Sequence, residues 1–122
     1  MRTRRAVLCF LIISAIEVKA EISVKTYRER MASDNKALVE LTKRYIRGLG
    51  EGMEWANGEA TNRKTPLFCA PDMALGTENF IDILNQEIKR MSPLETAAEL
   101  EETFIGLLLM DGLQRVFPCK HK

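Results

Sequence analysis

The sequence predicts an all-α domain, a compact bundle of three to four main helices clasped by one disulfide. Three observations carry this. Apolar residues recur at spacings of three and four in long stretches, such as Leu38, Leu41, Tyr45, Leu49 and Met53. Helix-start signals stand ahead of those stretches. No segment alternates apolar and polar residues as a half-buried strand would.

The first twenty residues read as a secretory signal peptide. A basic start, Met1-Arg2-Thr3-Arg4-Arg5, precedes eleven mostly apolar residues, Ala6 to Ile16, and a Val18-Lys19-Ala20 junction. An eleven-residue helix at ~1.5 Å per residue covers only about half of a ~30 Å hydrocarbon core, so the run is too short for a membrane anchor. Cleavage after Ala20 leaves 21–122, one domain of 102 residues. Loss of Arg2, Arg4, Arg5, Lys19 and Glu17 leaves 14 basic and 16 acidic residues, a net charge of −2. A nearly neutral domain argues against holding nucleic acid or anionic lipid by bulk charge. No stable membrane insertion is expected once the leader is gone.

Cleavage also removes Cys9 and leaves Cys69 and Cys119. Two cysteines in an oxidising compartment are expected to pair; in the cytosol they would remain free thiols. The pair would tie the last helices to the short stretch Leu67-Phe68-Cys69-Ala70-Pro71.

Along the mature chain, Glu21–Ala32 is weakly patterned, a frayed entry or a short helix. Ser33-Asp34 caps a first long helix, whose opposite face carries Glu40, Lys43, Arg44, Arg47, Glu51 and Glu54. The Glu40–Arg44 pair is attractive at i,i+4 and Lys43–Arg47 mildly repulsive. Gly48, Gly52 and Ala56 form a ridge that would let a neighbouring helix approach, while Gly50 raises the alternative of a kink. Trp55 is expected against the core and Asn57-Gly58 as the helix stop. A polar loop, Glu59–Thr65, follows.

Thr77 caps the next helix, with Phe80, Leu84, Ile88 and Met91 on one face. Ser92-Pro93-Leu94-Glu95 reads as the capping box of a third. Within it Ile105–Met110 is apolar nearly all round, and Gly112 is a candidate division point before Phe117-Pro118 ends the helix.

Little chemistry is legible, and the chain is not expected to be an enzyme or to take a cofactor. The mature domain has one histidine, His121, beside the terminus, and no His/Cys/Asp cluster at metal-ligand spacing. Glu51 and Glu54 are the best candidates for a glycosidase-type carboxylate. A solvated helix face explains them better. Glu99, Glu101 and Glu102 read as surface charge near a helix start.

Tyr45-Ile46-x-Gly48-x-x-x-Gly52 with Trp55-Ala56-Asn57, then Leu67-Phe68-Cys69-x-Pro71, then Phe117-Pro118-Cys119 resembles the Tai/Rap group of type VI secretion immunity proteins. The match covers about residues 35–119. The resemblance implies a periplasmic helical fold closed by Cys69 and Cys119, a homodimer, and the binding and steric blocking of a peptidoglycan amidase effector. The chain departs from many of those proteins in lacking further cysteines near the first long helix. For partner binding, Glu59, Asn62, Arg63 and Lys64 on the polar loop are the candidates. The rival expectation is a periplasmic stress or chaperone-like helical protein without a toxin partner, favoured by the apolar run Ile105–Met110.

Overall fold

The computed structural model describes residues 21–70, 72 and 74–120. The expected signal peptide, Pro71, Met73 and His121 lie outside them. The described chain is helical: α1 (Val24–Met31), α2 (Lys36–Asn62), α3 (Thr77–Met91), α4 (Ala97–Glu102) and α5 (Ile105–Val116). The all-α bundle is therefore as expected, with α2, α3 and α5 as its main members and two short helices added.

At the centre, α3 packs against both α2 and α5, while α1 lies across α2 and α4. Phe80, Leu84 and Ile88 of α3 meet Ile105, Leu109 and Leu113 of α5 and Ile46 of α2 in one core, joined by Phe68 from the loop after α2. Ile83 and Glu87 of α3 face Gly112 and Arg115 of α5, respectively, so the two helices run parallel. Parallel neighbours need a crossover. Here α4 and its flanking turns supply it.

The short entry to the chain is a helix, capped by Ser23 Oγ accepting from the Thr26 N–H at 3.3 Å, with Val24 and Tyr27 buried. Tyr27 donates to Asn85 Oδ1 at 2.8 Å. Burial pushes the phenol up from its ordinary value against that hydrogen bond.

Several expectations are corrected. The cap of α2 is Asn35, whose Oδ1 accepts from Ala37 and Leu38, rather than Ser33-Asp34. Its buried residues are Thr42, Ile46 and Gly50; of the expected stripe, Tyr45, Leu49 and Met53 pack partly buried against the core, while Leu41 is 60 % exposed. Trp55 is 78 % exposed and belongs to the outward face. The ridge of Gly48 and Gly52 meets no neighbour within 4 Å. Gly50 makes the close approach instead. A Cβ there would lie 2.5 Å from the Phe80 ring, and the helix passes through it without a break.

The second half differs in its boundaries. Gly76 is the cap position of α3, its N–H donating to Asn79 Oδ1 at 2.8 Å, and Thr77 is the first helical residue. Ser92 ends α3 rather than starting a helix, and 93–95 form a turn on the Met91 carbonyl. The capping box lies four residues later. Thr96 Oγ1 accepts from the Glu99 N–H at 3.3 Å, and Glu99 Oε2 accepts from the Thr96 N–H at 3.1 Å. The expected third helix divides at Thr103-Phe104, not at Gly112. There the backbone pairs with the entry segment: Val24 N–H donates to Thr103 O at 2.9 Å and Ile105 N–H to Ile22 O at 3.0 Å. Those groups cannot also serve a continuous helix.

Candidate partner-binding surface

α2 does not stop at Asn57-Gly58. It runs to Asn62, so Glu59 and Asn62 lie on its last turn, and only Arg63 and Lys64 belong to the turn that follows. All four are exposed. Arg63 is the C-cap and Lys64 takes a left-handed conformation, φ 64°. The Lys64 N–H donates to Thr61 O at 2.9 Å and the Thr65 N–H to Ala60 O at 2.9 Å. This is the Schellman arrangement, with lysine where glycine is the usual residue. A side chain in that conformation costs roughly 1–2 kcal/mol, which the turn and its anchors offset.

The main anchor is Asn57. Its Oδ1 accepts from the N–H groups of Leu67 at 2.7 Å and Phe68 at 3.1 Å, and its Nδ2 donates to Phe68 O at 2.9 Å. One carboxamide thus satisfies three backbone groups of the returning strand of chain, and Phe68 follows into the core at 1 % exposure. One residue further, Cys69 bonds Cys119 with a Cα–Cα distance of 5.0 Å, inside the ordinary range. The Cys69 N–H donates to Phe117 O at 2.8 Å. The disulfide expected from the sequence is present, and it is the kind of bond that persists in an oxidising compartment.

The result is a corner whose backbone is fixed on both sides and whose side chains Arg63, Lys64 and Leu67 face solvent. Such a corner can enter a concave surface without a large ordering cost. Glu51, one of the two carboxylates considered for catalysis, accepts from Arg47 Nε at 2.7 Å. Among the described residues no group of three or more His, Cys, Asp or Glu could hold a metal ion, and no helix is long and apolar enough to cross a membrane.

Trp55, expected against the core, is instead a large exposed indole. Glu87 was not singled out from the sequence. Its side chain is fully buried, yet Oε1 accepts from Arg90 Nη2 at 2.5 Å and Oε2 from Arg115 Nε at 2.8 Å. The Arg90 hydrogen bond, against burial and with help from Arg115, holds the carboxyl below its ordinary value. Glu87 lies one turn beyond Ile83 on the buried face of α3. Its spacing from Ile83 and Leu84, together with Arg90 three residues on, is a signal the sequence did contain. The Arg115 contact spans 28 positions and was not legible.

Comparison with protein-family models, with curated proteins and with solved structures finds no match for this chain.

Proposed function

We propose that this chain is a periplasmic immunity protein, exported by a cleaved leader, that binds and sterically blocks a peptidoglycan amidase delivered by type VI secretion. The observation that carries the reading is the corner after α2. Asn57 and the disulfide fix its backbone while Arg63, Lys64 and Leu67 stay exposed. The motif resemblance and the leader pattern support it. Steric inhibition asks for rigidity and a few central side chains. It takes no catalytic residue and no cofactor.

The apolar run Ile105–Met110 gives less weight to a chaperone-like role than its sequence suggested. Ile105, Leu108 and Leu109 are consumed by the core, and Leu107, at 62 % exposure, is the one that faces out.

The test is peptidoglycan hydrolysis by any amidase found encoded beside this chain, with 21–122 titrated in. Stoichiometric inhibition is expected, weakened by Arg63→Glu with Lys64→Glu at unchanged melting temperature. No inhibition and no complex on a sizing column would overturn the reading. Inhibition indifferent to the double reversal would remove the corner from it.

A further inference from the structure

The buried Glu87 carboxylate has an outward side. Between the last turns of α3 and α5 lies an open groove of about 370 Å³, lined by Gln86, Lys89, Arg90 and Arg115. Each of these four side chains offers N–H donors, and none is a carboxylate. Glu87 holds both guanidinium groups from below. Arg90 donates to its Oε1 through Nε at 2.9 Å and through Nη2, and Arg115 donates to its Oε2 through Nε at 2.8 Å. Among the described residues Arg90 Nη1 and both Nη atoms of Arg115 make no hydrogen bond. Lys89 is exposed and takes part in no ion pair among them.

A buried carboxylate between two arginines is a poor way to join two helices, because well-packed apolar side chains often hold them as well or better. What it adds is orientation. The guanidinium groups are ordered before anything binds, so a ligand meets a small ordering cost. The outer N–H pair of Arg115 forms a fork of the kind that takes two oxygens of one oxyanion. A carboxylate has two oxygens, and that fork alone would occupy them. A phosphate group has enough oxygens to meet Arg115, Arg90 and Lys89 together. The groove is also larger than a phosphate, with room for part of the molecule that carries it.

We infer that this groove is a binding site for a phosphate group, held by Arg115, Arg90 and Lys89, whether on a soluble phosphate compound or on a lipid headgroup. The attraction is local, set by three cations on a nearly neutral domain. Two features limit it. Asp111 lies close enough to Arg90 to favour its charge, and the C-terminal ends of helices carry partial negative charge. A dissociation constant of about a millimolar is therefore expected for inorganic phosphate alone. The site does not need an amidase partner.

Proton–nitrogen correlation spectra of purified 21–122, titrated at constant ionic strength with inorganic phosphate and in parallel with acetate, test it. Saturable shifts are expected at the ends of α3 and α5 and at the Gln86 side-chain amide, with acetate at least about tenfold weaker. Lys89→Ala should weaken phosphate about tenfold at an unchanged melting temperature. Arg115→Lys, which keeps the charge and loses the fork, should weaken it by a similar factor. Lys25→Ala, on α1, should leave it unchanged. Flotation with phosphatidylcholine vesicles, with and without phosphatidylglycerol, identifies the source. Binding to the anionic vesicles that is lost in Lys89→Ala assigns a headgroup, and phosphate binding without it assigns a soluble compound. Absence of both saturable shifts and Lys89-dependent vesicle binding overturns the proposal. So does acetate that matches phosphate, or phosphate binding that Lys89→Ala and Arg115→Lys leave intact. Equal weakening by Lys25→Ala and Lys89→Ala would reduce the effect to bulk charge and overturn it too.

Discussion

Gly112 of α5 lies so close to Ile83 of α3 that a Cβ at position 112 would stand 2.7 Å from Ile83 Cγ2 and 3.3 Å from the Ile83 carbonyl oxygen. The backbone oxygen cannot move aside as a side chain can. The parallel packing of α3 and α5 is therefore set by this missing methyl, as that of α2 on α3 is by Gly50 beneath the Phe80 ring.

The glycines divide accordingly. Gly112→Ala and Gly50→Ala should each destabilise the domain by ~1–3 kcal/mol through overpacking. Gly48→Ala and Gly52→Ala, in open space, should each stabilise it by up to ~1 kcal/mol. Urea unfolding of the four variants in dilute protein checks the opposite signs.

Asn57→Ala removes three hydrogen bonds to the chain at Leu67 and Phe68. At ~0.5–1.5 kcal/mol for each, a loss of about 2–3 kcal/mol is expected. Hydrogen exchange should show the Leu67 and Phe68 amides losing protection ahead of those in α3. Protection retained at both would mean that the disulfide alone holds the corner.

Glu87 gives the domain an acid-sensitive joint. Its folded pKa lies below the unfolded carboxylate value of about 4.3. The stability it contributes is fully present above that value and is lost as pH falls through the lower folded one. Arg90 and Arg115 are 43 % and 40 % exposed, so water screens the pairs. Glu87→Gln should then cost ~1–3 kcal/mol near neutrality, less than breaking a wholly buried pair. The variant should also flatten the fall of stability below pH 4.3. Thermal melts from neutral to strongly acidic pH would show both effects.

Reduction opens a loop of 50 residues. In the chain-entropy account this removes ~4 kcal/mol, a large share of the stability of a domain this size. Cys69→Ser and Cys119→Ser should have matching, lowered melting temperatures, and the parent in reductant should join them. Mass spectrometry of the unreduced protein should give a peptide linking the two cysteines.

By itself the sequence determined the class of fold, the pairing of Cys69 with Cys119 and the existence of the main helices. Each follows from local periodicity, from composition or, for the cysteines, from the count of two that remains when the expected leader takes Cys9 away. It determined boundaries less well. Ser92-x-x-Glu95 and Thr96-x-x-Glu99 are equivalent capping boxes on paper, and the choice between them depended on α3 running to Met91. The break at Thr103-Phe104 depended on Ile22 and Val24 arriving to share its backbone groups. The helix stop moved from Asn57-Gly58 to Lys64 because Asn57 is engaged by the returning chain and the left-handed residue carries a side chain. The inward face of α2 was placed only in part: Tyr45, Leu49 and Met53 of the expected stripe do pack on the core, but Leu41 and Trp55 do not, because periodicity reports that a stripe exists without saying what lies opposite. Tertiary structure decided that, by placing the Phe80 ring over Gly50 and leaving Trp55 in solvent.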